Sequence, residues 1–352
     1  VEGKYYTWSK NEIKSILGDK AELFCDFFDV SEKGNWEHTN ILRVLKPFAG
    51  FAAEVKRDEN KLREEVERLS NILLEEREKR IRPLLDDKIL LGWNALMITA
   101  YSKAYAATDE PAYRQAAVRN FSFLWENFRS KDGTWRHTFK NGEARYPAFL
   151  DDLAYLVQAC IHLQEITGEG SYLIKGKELT ERIINEFGSE SNSFFYYTPE
   201  GQKDVIVRKQ EIYDGATPSG NSVMAWNLYY LGIVFDRQNW LEQALKMCNS
   251  LEPVILKYPS SFGIWATLMQ SLAYGIPEIA LIGENFGNLY RDILRTFIPF
   301  KIFQSAPRPS KDFPLLDNKP YTSEPKLYLC KNYSCQSPVT EIDTLIRMLE
   351  KA

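Results

Sequence analysis

The chain has 352 residues, of which 44% are hydrophobic and 26% are charged, a composition typical of a globular protein rather than a disordered one. Its formal net charge of -4 provides no broad cationic surface, which argues against nucleic acid or an anionic membrane as a partner. Five cysteines, an odd number, do not fit a secreted disulfide scaffold, so we expect a cytoplasmic protein. Val1 stands where a methionine would begin a natural protein and no signal peptide follows, so we expect further chain upstream.

The N-terminal residues predict three helices. Ser9 and Glu12 form the Ser-x-x-Glu pattern that caps a helix N-terminus, and Gly18 supplies a helix end. A second short helix is predicted over residues 21–28. Residues 54–80 carry apolar side chains at helical spacing between charged ones, which predicts a long amphipathic helix.

A repeat begins near residue 86. Asp87, Asp151 and Asp214 are separated by 64 and 63 residues. Each is followed seven positions later by a side-chain amide: Asn94, Gln158 and Asn221. A small, an apolar and a large apolar residue then follow in each case. Such a fixed period predicts a repeated supersecondary unit.

Each repeat reads as a pair of helices. The first helix of each pair is almost free of charge, over residues 89–107, 153–166 and 222–235. The second is amphipathic, over residues 112–128, 172–187 and 240–250. A helix that is apolar on all sides must be buried on all sides, so we predict an inner row of parallel helices wrapped by an outer row. The aspartates before the inner helices would then meet at one end.

Two other elements are predicted from local patterns. Residues 134–140 turn back at Asn141-Gly142 as a β-hairpin, and residues 194–198 are expected to pair with 205–208 in a second one. From residue 278 the order strand, helix, strand predicts a small α/β segment with parallel pairing. We therefore expect a helical domain over 1–277 and an α/β segment over 278–352.

Several stretches resemble one family. They are Gly3-Lys4-Tyr5-Tyr6-Thr7-Trp8, Gly34-Asn35-Trp36-Glu37, Asp86-Asp87-Lys88-Ile89-Leu90, Phe149-Leu150-Asp151-Asp152, Asp214-Gly215-Ala216-Thr217-Pro218-Ser219-Gly220-Asn221-Ser222, and Cys330 through Pro338. The chain is similar to the thioredoxin-domain-containing proteins of the YyaL and spermatogenesis-associated protein 20 type. The resemblance implies a thioredoxin-like domain upstream and, for this chain, a mainly α fold. That fold is an (α/α)6 toroid of helical hairpins, similar to six-hairpin glycosidases and N-acylglucosamine 2-epimerases, with a small α/β appendage at the C-terminus. It implies no settled reaction.

The acidic residues are the candidate catalytic groups: Asp87, Asp151, Asp152 and Asp214. A two-carboxylate glycosidase keeps one carboxyl protonated to donate to the leaving oxygen while the other attacks or activates water. The alternative is helix capping, in which an aspartate accepts the unpaired N–H groups at a helix N-terminus. The repeated position of each single aspartate favours capping, whereas the set as a whole fits a functional pocket equally well.

The candidate substrate-binding residues lie beside the acidic ones: Trp93, Asn94, Tyr155, Asn221, Trp135 and His137. Aromatic faces stack on sugars and amides bridge their hydroxyls. The alternative is packing inside the ring for the helix residues and a plain surface hairpin for Trp135 and His137.

Histidines and cysteines offer fewer candidates. The epimerase-type mechanism implied by the related enzymes uses paired histidines, and His162 falls deep in an inner helix, where a satisfied core histidine is favoured. Cys330 and Cys335 could form a disulfide, but two buried thiols are favoured. Neither a metal nor a cofactor is expected.

The sequence thus predicts a carbohydrate-active toroid, a hydrolase or an isomerase, that binds a small-molecule sugar at an acidic pocket. A non-catalytic or redox-linked scaffold, working with the upstream thioredoxin-like domain, is the alternative.

Overall fold

The computed structural model describes residues 3–331 and 334–350. The chain divides into two compact units, Val1–Asp86 and Asp87–Ala352. The predicted boundary at residue 277 falls inside the second unit, and that division stays a prediction. None of the helices in the described ranges combines the length and the apolar character that crossing a membrane requires.

The first unit is helical. Its helices are α1 Lys10–Leu17, α2 Ala21–Phe27, α3 Phe48–Glu54 and α4 Glu59–Glu78, with a 3-10 turn over Gly18–Lys20. The Ser9 hydroxyl accepts the Glu12 N–H at 3.1 Å, which confirms the predicted cap of α1. The long predicted helix starts later than expected because the Asp58 carboxylate accepts the Lys61 N–H at 3.0 Å and caps α4 there.

The second unit is built of consecutive helical hairpins. Its helices before the C-terminal sheet are α5 Leu91–Thr108, α6 Pro111–Asn127, α7 Leu150–Thr167, α8 Gly170–Phe187, α9 Gly220–Val234, α10 Gln238–Lys257 and α11 Gly263–Tyr274. Helices α5, α7, α9 and α11 pack side by side as an inner row, and α6, α8 and α10 pack on the outside of their partners. This is the mainly α, hairpin-built fold class that the sequence predicts.

Burial distinguishes the inner helices from one another. Along α7 and α9 most side chains are buried, as the absence of charge predicts. Helix α5 is different, because Trp93 and Met97 in its first two turns are exposed. The expectation that all inner helices are enclosed on every side is therefore wrong for α5, which packs on α7 in the inner row of the described ranges.

A small antiparallel sheet adjoins α5. Its strands are β1 Ile89–Leu90, β2 Arg136–Lys140 and β3 Glu143–Pro147. Asn141 and Gly142 both have positive φ, 53° and 78°, as a two-residue type I′ turn requires, which confirms the first predicted hairpin.

The second predicted hairpin is wrong, since residues 194–208 contain no strand. The buried Asn221 side chain binds both the N–H and the C=O of Phe195, at 2.8 and 3.0 Å. Those backbone groups are therefore paired with a side chain rather than with another strand.

The C-terminal residues form a four-stranded sheet with two helices. The elements are β4 Glu278–Ile282, α12 Gly287–Arg295, β5 Ile302–Ala306, β6 Lys326–Lys331, β7 Ser334–Cys335 and α13 Ile342–Leu349, in the strand order β5-β4-β6-β7. Strands β4 and β5 are parallel, which confirms the predicted pairing, and β6 runs antiparallel to β4. One face of this sheet joins the core of the helical hairpins, and the other packs on α12 and α13.

Cys330 and Cys335 form a disulfide with an S–S distance of 2.03 Å. They lie directly opposite each other on β6 and β7. The expectation of two free thiols is wrong here, because the strand register brings the two side chains together. The other cysteines, Cys25, Cys160 and Cys248, are buried and free.

Candidate functional site

Carboxylates connect the N-terminal ends of the inner helices. Three of them each accept a backbone N–H from the first turn of a neighbouring inner helix: Asp152 from Gly92 at 2.9 Å, Asp151 from Gly220 at 2.8 Å, and Asp214 from Ile264 at 2.8 Å. Since Asp151 and Asp152 are themselves in the first turn of α7, the N-termini of α5, α7, α9 and α11 lie at one edge of the unit. We call this edge the acidic end.

Glycine is required where two of these carboxylates approach. A Cβ on Gly92 would lie 2.8 Å from Asp152 Oδ1, and a Cβ on Gly220 would lie 2.4 Å from Asp151 Oδ1. Neither distance is compatible with a side chain. The unpaired N–H groups and the positive dipole end of each helix favour a carboxylate in that position.

Asp152 and Asp214 are occupied by structural hydrogen bonds. Besides Gly92, Asp152 accepts the Phe149 N–H at 2.9 Å and contacts His137 Nδ1 at 2.8 Å, and it is only 3% exposed. Asp214 accepts from the Ser219 N–H at 3.0 Å and from the Ser222 hydroxyl at 2.6 Å. Both aspartates therefore act as helix caps. Each binds backbone N–H groups at the N-terminus of a neighbouring inner helix as well as at the start of the helix that it precedes or begins.

Asp87 is not among these carboxylates. Its exposed side chain forms an ion pair with Lys140 on β2, and this contact lowers the pKa of Asp87. The expectation that Asp87, Asp151 and Asp214 occupy equivalent places is wrong, because α5, α7 and α9 do not begin at even intervals along the chain. The three aspartates repeat at an almost constant spacing along the sequence, but each lies at a different distance from the first residue of its helix.

Asp151 has the most perturbed carboxyl group of the acidic end. Burial raises its pKa to about 7, the Gly220 N–H partly opposes the rise, and the negative charges of Asp152 and Glu211 add to it. Near neutral pH a substantial fraction of Asp151 is therefore protonated. A carboxylic acid in this state can give a proton to a ligand oxygen.

His137 is oriented by Asp152. Their contact at 2.8 Å engages Nδ1 and raises the pKa of His137, while burial opposes the rise. The edge of the imidazole ring meets the Phe149 ring at a centroid distance of 4.9 Å, and Phe149 stacks on Tyr197 at 4.8 Å. Neither Phe149 nor Tyr197 was among the predicted ligand-binding residues, although Phe149 opens the Phe-Leu-Asp-Asp motif.

The remaining predicted ligand-binding residues differ in accessibility. Trp93 is 67% exposed and directly follows Gly92 in the first turn of α5, so its ring is accessible at the N-terminal end of that helix. Trp135 is 3% exposed and packs edge-on against Trp125, which makes it part of the core. The buried Tyr155 donates its hydroxyl to the Pro218 carbonyl.

The two predicted amides have structural partners. Asn94 donates to the Leu90 carbonyl at 2.9 Å and lies beside Asn120 of the outer helix. Asn221 is fully buried and, in addition to Phe195, donates to the Glu211 carbonyl at 2.8 Å. Of the predicted set, Trp93, His137 and Asp151 therefore remain as groups that a ligand could engage.

A cavity of about 600 Å³ lies further along the inner helices. His162 lines it with a side chain that is 20% exposed, so it is not enclosed in the core, but its Nδ1 contacts Glu165 at 2.8 Å, as expected of a satisfied histidine. Asp151, Gln158, His162 and Glu165 lie at helical spacing on one face of α7. This polar face on an otherwise apolar helix is the sequence signal that could have predicted the cavity. Across the described ranges, no three His, Cys, Asp or Glu side chains are arranged to hold a metal ion together.

No family model matches the chain. It is 28% identical over 384 residues to an uncharacterized protein of Caenorhabditis elegans, covering 100% of this chain and 52% of that protein. It is 23% identical over 389 residues to human spermatogenesis-associated protein 20, covering 99% of this chain and 49% of the relative. The chain is thus homologous along its whole length to spermatogenesis-associated protein 20, as the motifs indicated, and it spans about half the length of these curated relatives.

Solved structures give partial likenesses. A D-mannose isomerase has a TM-score of 0.38 and 16% identity, covering 47% of this chain and 40% of that one. The cellobiose 2-epimerase of Bacillus thermoamylovorans has a TM-score of 0.39 and 14% identity, covering 46% and 44%. An alpha-mannanase of Bacteroides thetaiotaomicron has a TM-score of 0.40 and 16% identity, covering 49% and 47%.

Proposed function

We propose that the second unit is carbohydrate-active and that it binds a sugar at the acidic end, where His137 and Asp151 transfer protons. The observation that carries the proposal is the fixed His137–Asp152 pair. Asp152 is held by two backbone N–H groups and fixes Nδ1 of the imidazole at 2.8 Å. An imidazole held in this way presents Nε2 as its reactive atom.

The chemistry of the remaining groups favours isomerisation or epimerisation over glycoside hydrolysis. A two-carboxylate hydrolase needs two carboxyl groups with spare capacity. Of the carboxyl groups near the acidic end, Asp152 and Asp214 each accept three hydrogen bonds and Glu211 is exposed, which leaves Asp151 as the buried carboxyl group for catalysis. One acid and one oriented imidazole are the groups that a proton transfer beside a carbonyl requires.

The proposed reaction moves one proton between neighbouring carbons of the sugar and one proton between the oxygens that they carry. His137 Nε2 takes the proton from the carbon next to the carbonyl, and Asp151 gives its proton to the carbonyl oxygen, which produces an enediol. Return of a proton from His137 to carbon, and of a hydroxyl proton to Asp151, forms the product. The exposed Trp93 ring supplies an apolar face on which the sugar can stack.

Solvent exchange tests this proposal. The chain is incubated in D₂O with D-mannose, D-glucose and D-fructose, and deuterium on the carbons next to the carbonyl is measured by NMR. We expect incorporation with the natural chain and a loss of about 100-fold or more in His137→Gln and in Asp151→Asn, since general acid and base groups typically contribute that much.

His38→Gln is the matched control, because His38 belongs to the first unit and the proposal assigns the reaction to the second. Exchange that persists in His137→Gln, or the absence of exchange with all three sugars, contradicts the proposal. The second result would favour the non-catalytic scaffold. The upstream thioredoxin-like domain stays a prediction, as does any contribution that it makes to activity.

A further inference from the structure

The cavity of about 600 Å³ is lined by α5, α7 and α9, by Ile264 and Thr267 of α11, and by the segment 294–301, which we call the cover segment. Its volume is in the range that holds a small molecule. Asp151 and Glu165 stand fourteen residues apart on α7, which separates the acidic end from the cavity floor by roughly 21 Å along the helix axis. The cavity therefore extends from the first turn of α11, where Asp214 accepts the Ile264 N–H, to Glu165, and its lining does not include Asp151 or His137.

A polar group stands in the floor of this mainly apolar cavity. The Glu165 side chain is 13% exposed and contacts His162 Nδ1 at 2.8 Å, and it accepts from the Tyr230 hydroxyl at 3.4 Å. A carboxylate has about four acceptor positions, so Glu165 can accept further hydrogen bonds. Gln158 also lines the cavity, and its side-chain amide has no hydrogen-bond partner in the described ranges.

The charged groups of the lining are unbalanced. Lys103, Arg295 and Lys301 line the cavity, and none of the three forms an ion pair with any residue that the structure describes. Glu165 is the one carboxylate in the lining. Burial by itself would raise the pKa of Glu165, but His162, Lys301 and Lys103 outweigh burial and lower it, so the carboxylate is ionised.

We propose that this cavity binds a small polyhydroxylated organic anion. Its hydroxyl groups would donate to Glu165 and exchange hydrogen bonds with Gln158, while its anionic group would lie among Lys103, Arg295 and Lys301. Charge-assisted hydrogen bonds to such cations are about twice as strong as neutral ones. The three cations thus favour binding of an anion. The acceptor positions that remain on Glu165 favour an anion that carries hydroxyl groups.

Three ligands that share a six-carbon polyol chain separate these contributions. Binding of sorbitol, D-gluconate and sorbitol 6-phosphate to the 352-residue chain is measured by isothermal titration calorimetry. We expect at least one of the two anions to bind about 10-fold or more tighter than sorbitol, because hydrogen bonds to charged groups are stronger than neutral ones. Tighter binding of gluconate assigns the anionic group as a carboxylate, and tighter binding of sorbitol 6-phosphate assigns it as a phosphate.

Substitutions locate the binding. Lys301→Met should weaken the preferred anion about 10-fold and leave sorbitol unchanged, whereas Gln158→Leu should weaken all three ligands. Lys246→Met, at an exposed position of α10 outside the cavity, is the matched control and should change nothing. Equal affinity for sorbitol and both anions, no binding of any of them, or an equal effect of Lys301→Met and Lys246→Met overturns the proposal. The solvent-exchange assay uses other residues and other ligands, so failure of one proposal is distinguishable from failure of the other.

Discussion

Replacing Asp151 by asparagine should change how the stability of the chain depends on pH. The asparagine Oδ1 can still accept the Gly220 N–H, but it cannot ionise. Each tenfold change in proton affinity is worth about 1.4 kcal/mol, so raising the pKa from 3.8 to about 7 corresponds to roughly 4 kcal/mol at full ionisation. Local relaxation and water reduce this, and we expect about 2 kcal/mol.

The sign follows from linkage. The pKa of Asp151 is higher in the folded chain than in the unfolded chain, so its stabilising contribution is complete below about pH 4 and is lost as the pH rises through 7. Asp151→Asn lacks this loss. The difference in free energy of unfolding between the variant and the natural chain, measured in urea, should therefore shift by about 2 kcal/mol in favour of the variant from pH 4.5 to pH 8. Asp204→Asn, at an exposed loop position, is the control and should give a constant difference. A constant difference for Asp151→Asn as well would show that the Asp151 pKa is not raised by folding.

Three further substitutions test the contacts around the inner helices and the sheet. Gly220→Ala should lower the free energy of unfolding in urea by about 2 kcal/mol, because the added Cβ would meet Asp151. Gly263 is the first residue of α11, as Gly220 is of α9, and a Cβ there would have no atom within 4 Å. Gly263→Ala should therefore be neutral or stabilising in the same titration. Asn221→Ala should cost about 2 to 3 kcal/mol by leaving the Phe195 and Glu211 backbone groups unpaired, and a thermal shift equivalent to less than about 0.5 kcal/mol would contradict that assignment. Cys335→Ser should cost about 2 kcal/mol through the lost loop constraint, and dithiothreitol should destabilise the natural chain but not the variant.

Local patterns predicted the helices and the first hairpin well. The lack of charge in the inner helices, the amphipathic character of the outer ones and the Asn141-Gly142 turn are signals within one stretch of chain, and each was confirmed. The same holds for β4, β5 and β6 of the C-terminal sheet, whereas β7 was not predicted. The second hairpin failed because Asn221, far along the chain, binds the Phe195 backbone.

The contacts of the acidic residues could not be predicted in the same way. Whether an aspartate caps a helix or stays available depends on which neighbouring N-terminus it reaches, and that is a tertiary contact. Asp152 reaches Gly92 and Asp151 reaches Gly220, whereas Asp87 pairs with Lys140. The cavity was missed for the same reason, since the cover segment comes from a distant part of the chain.

Where a sugar binds on the second unit decides whether the acidic end is a sugar site. Crystals of the chain soaked with D-mannose or D-fructose should show the sugar at the acidic end, with an oxygen within hydrogen-bonding distance of Asp151 and His137 Nε2 facing the carbon next to the carbonyl. A sugar bound elsewhere, or an acidic end that stays free of sugar at saturating concentration, would contradict it.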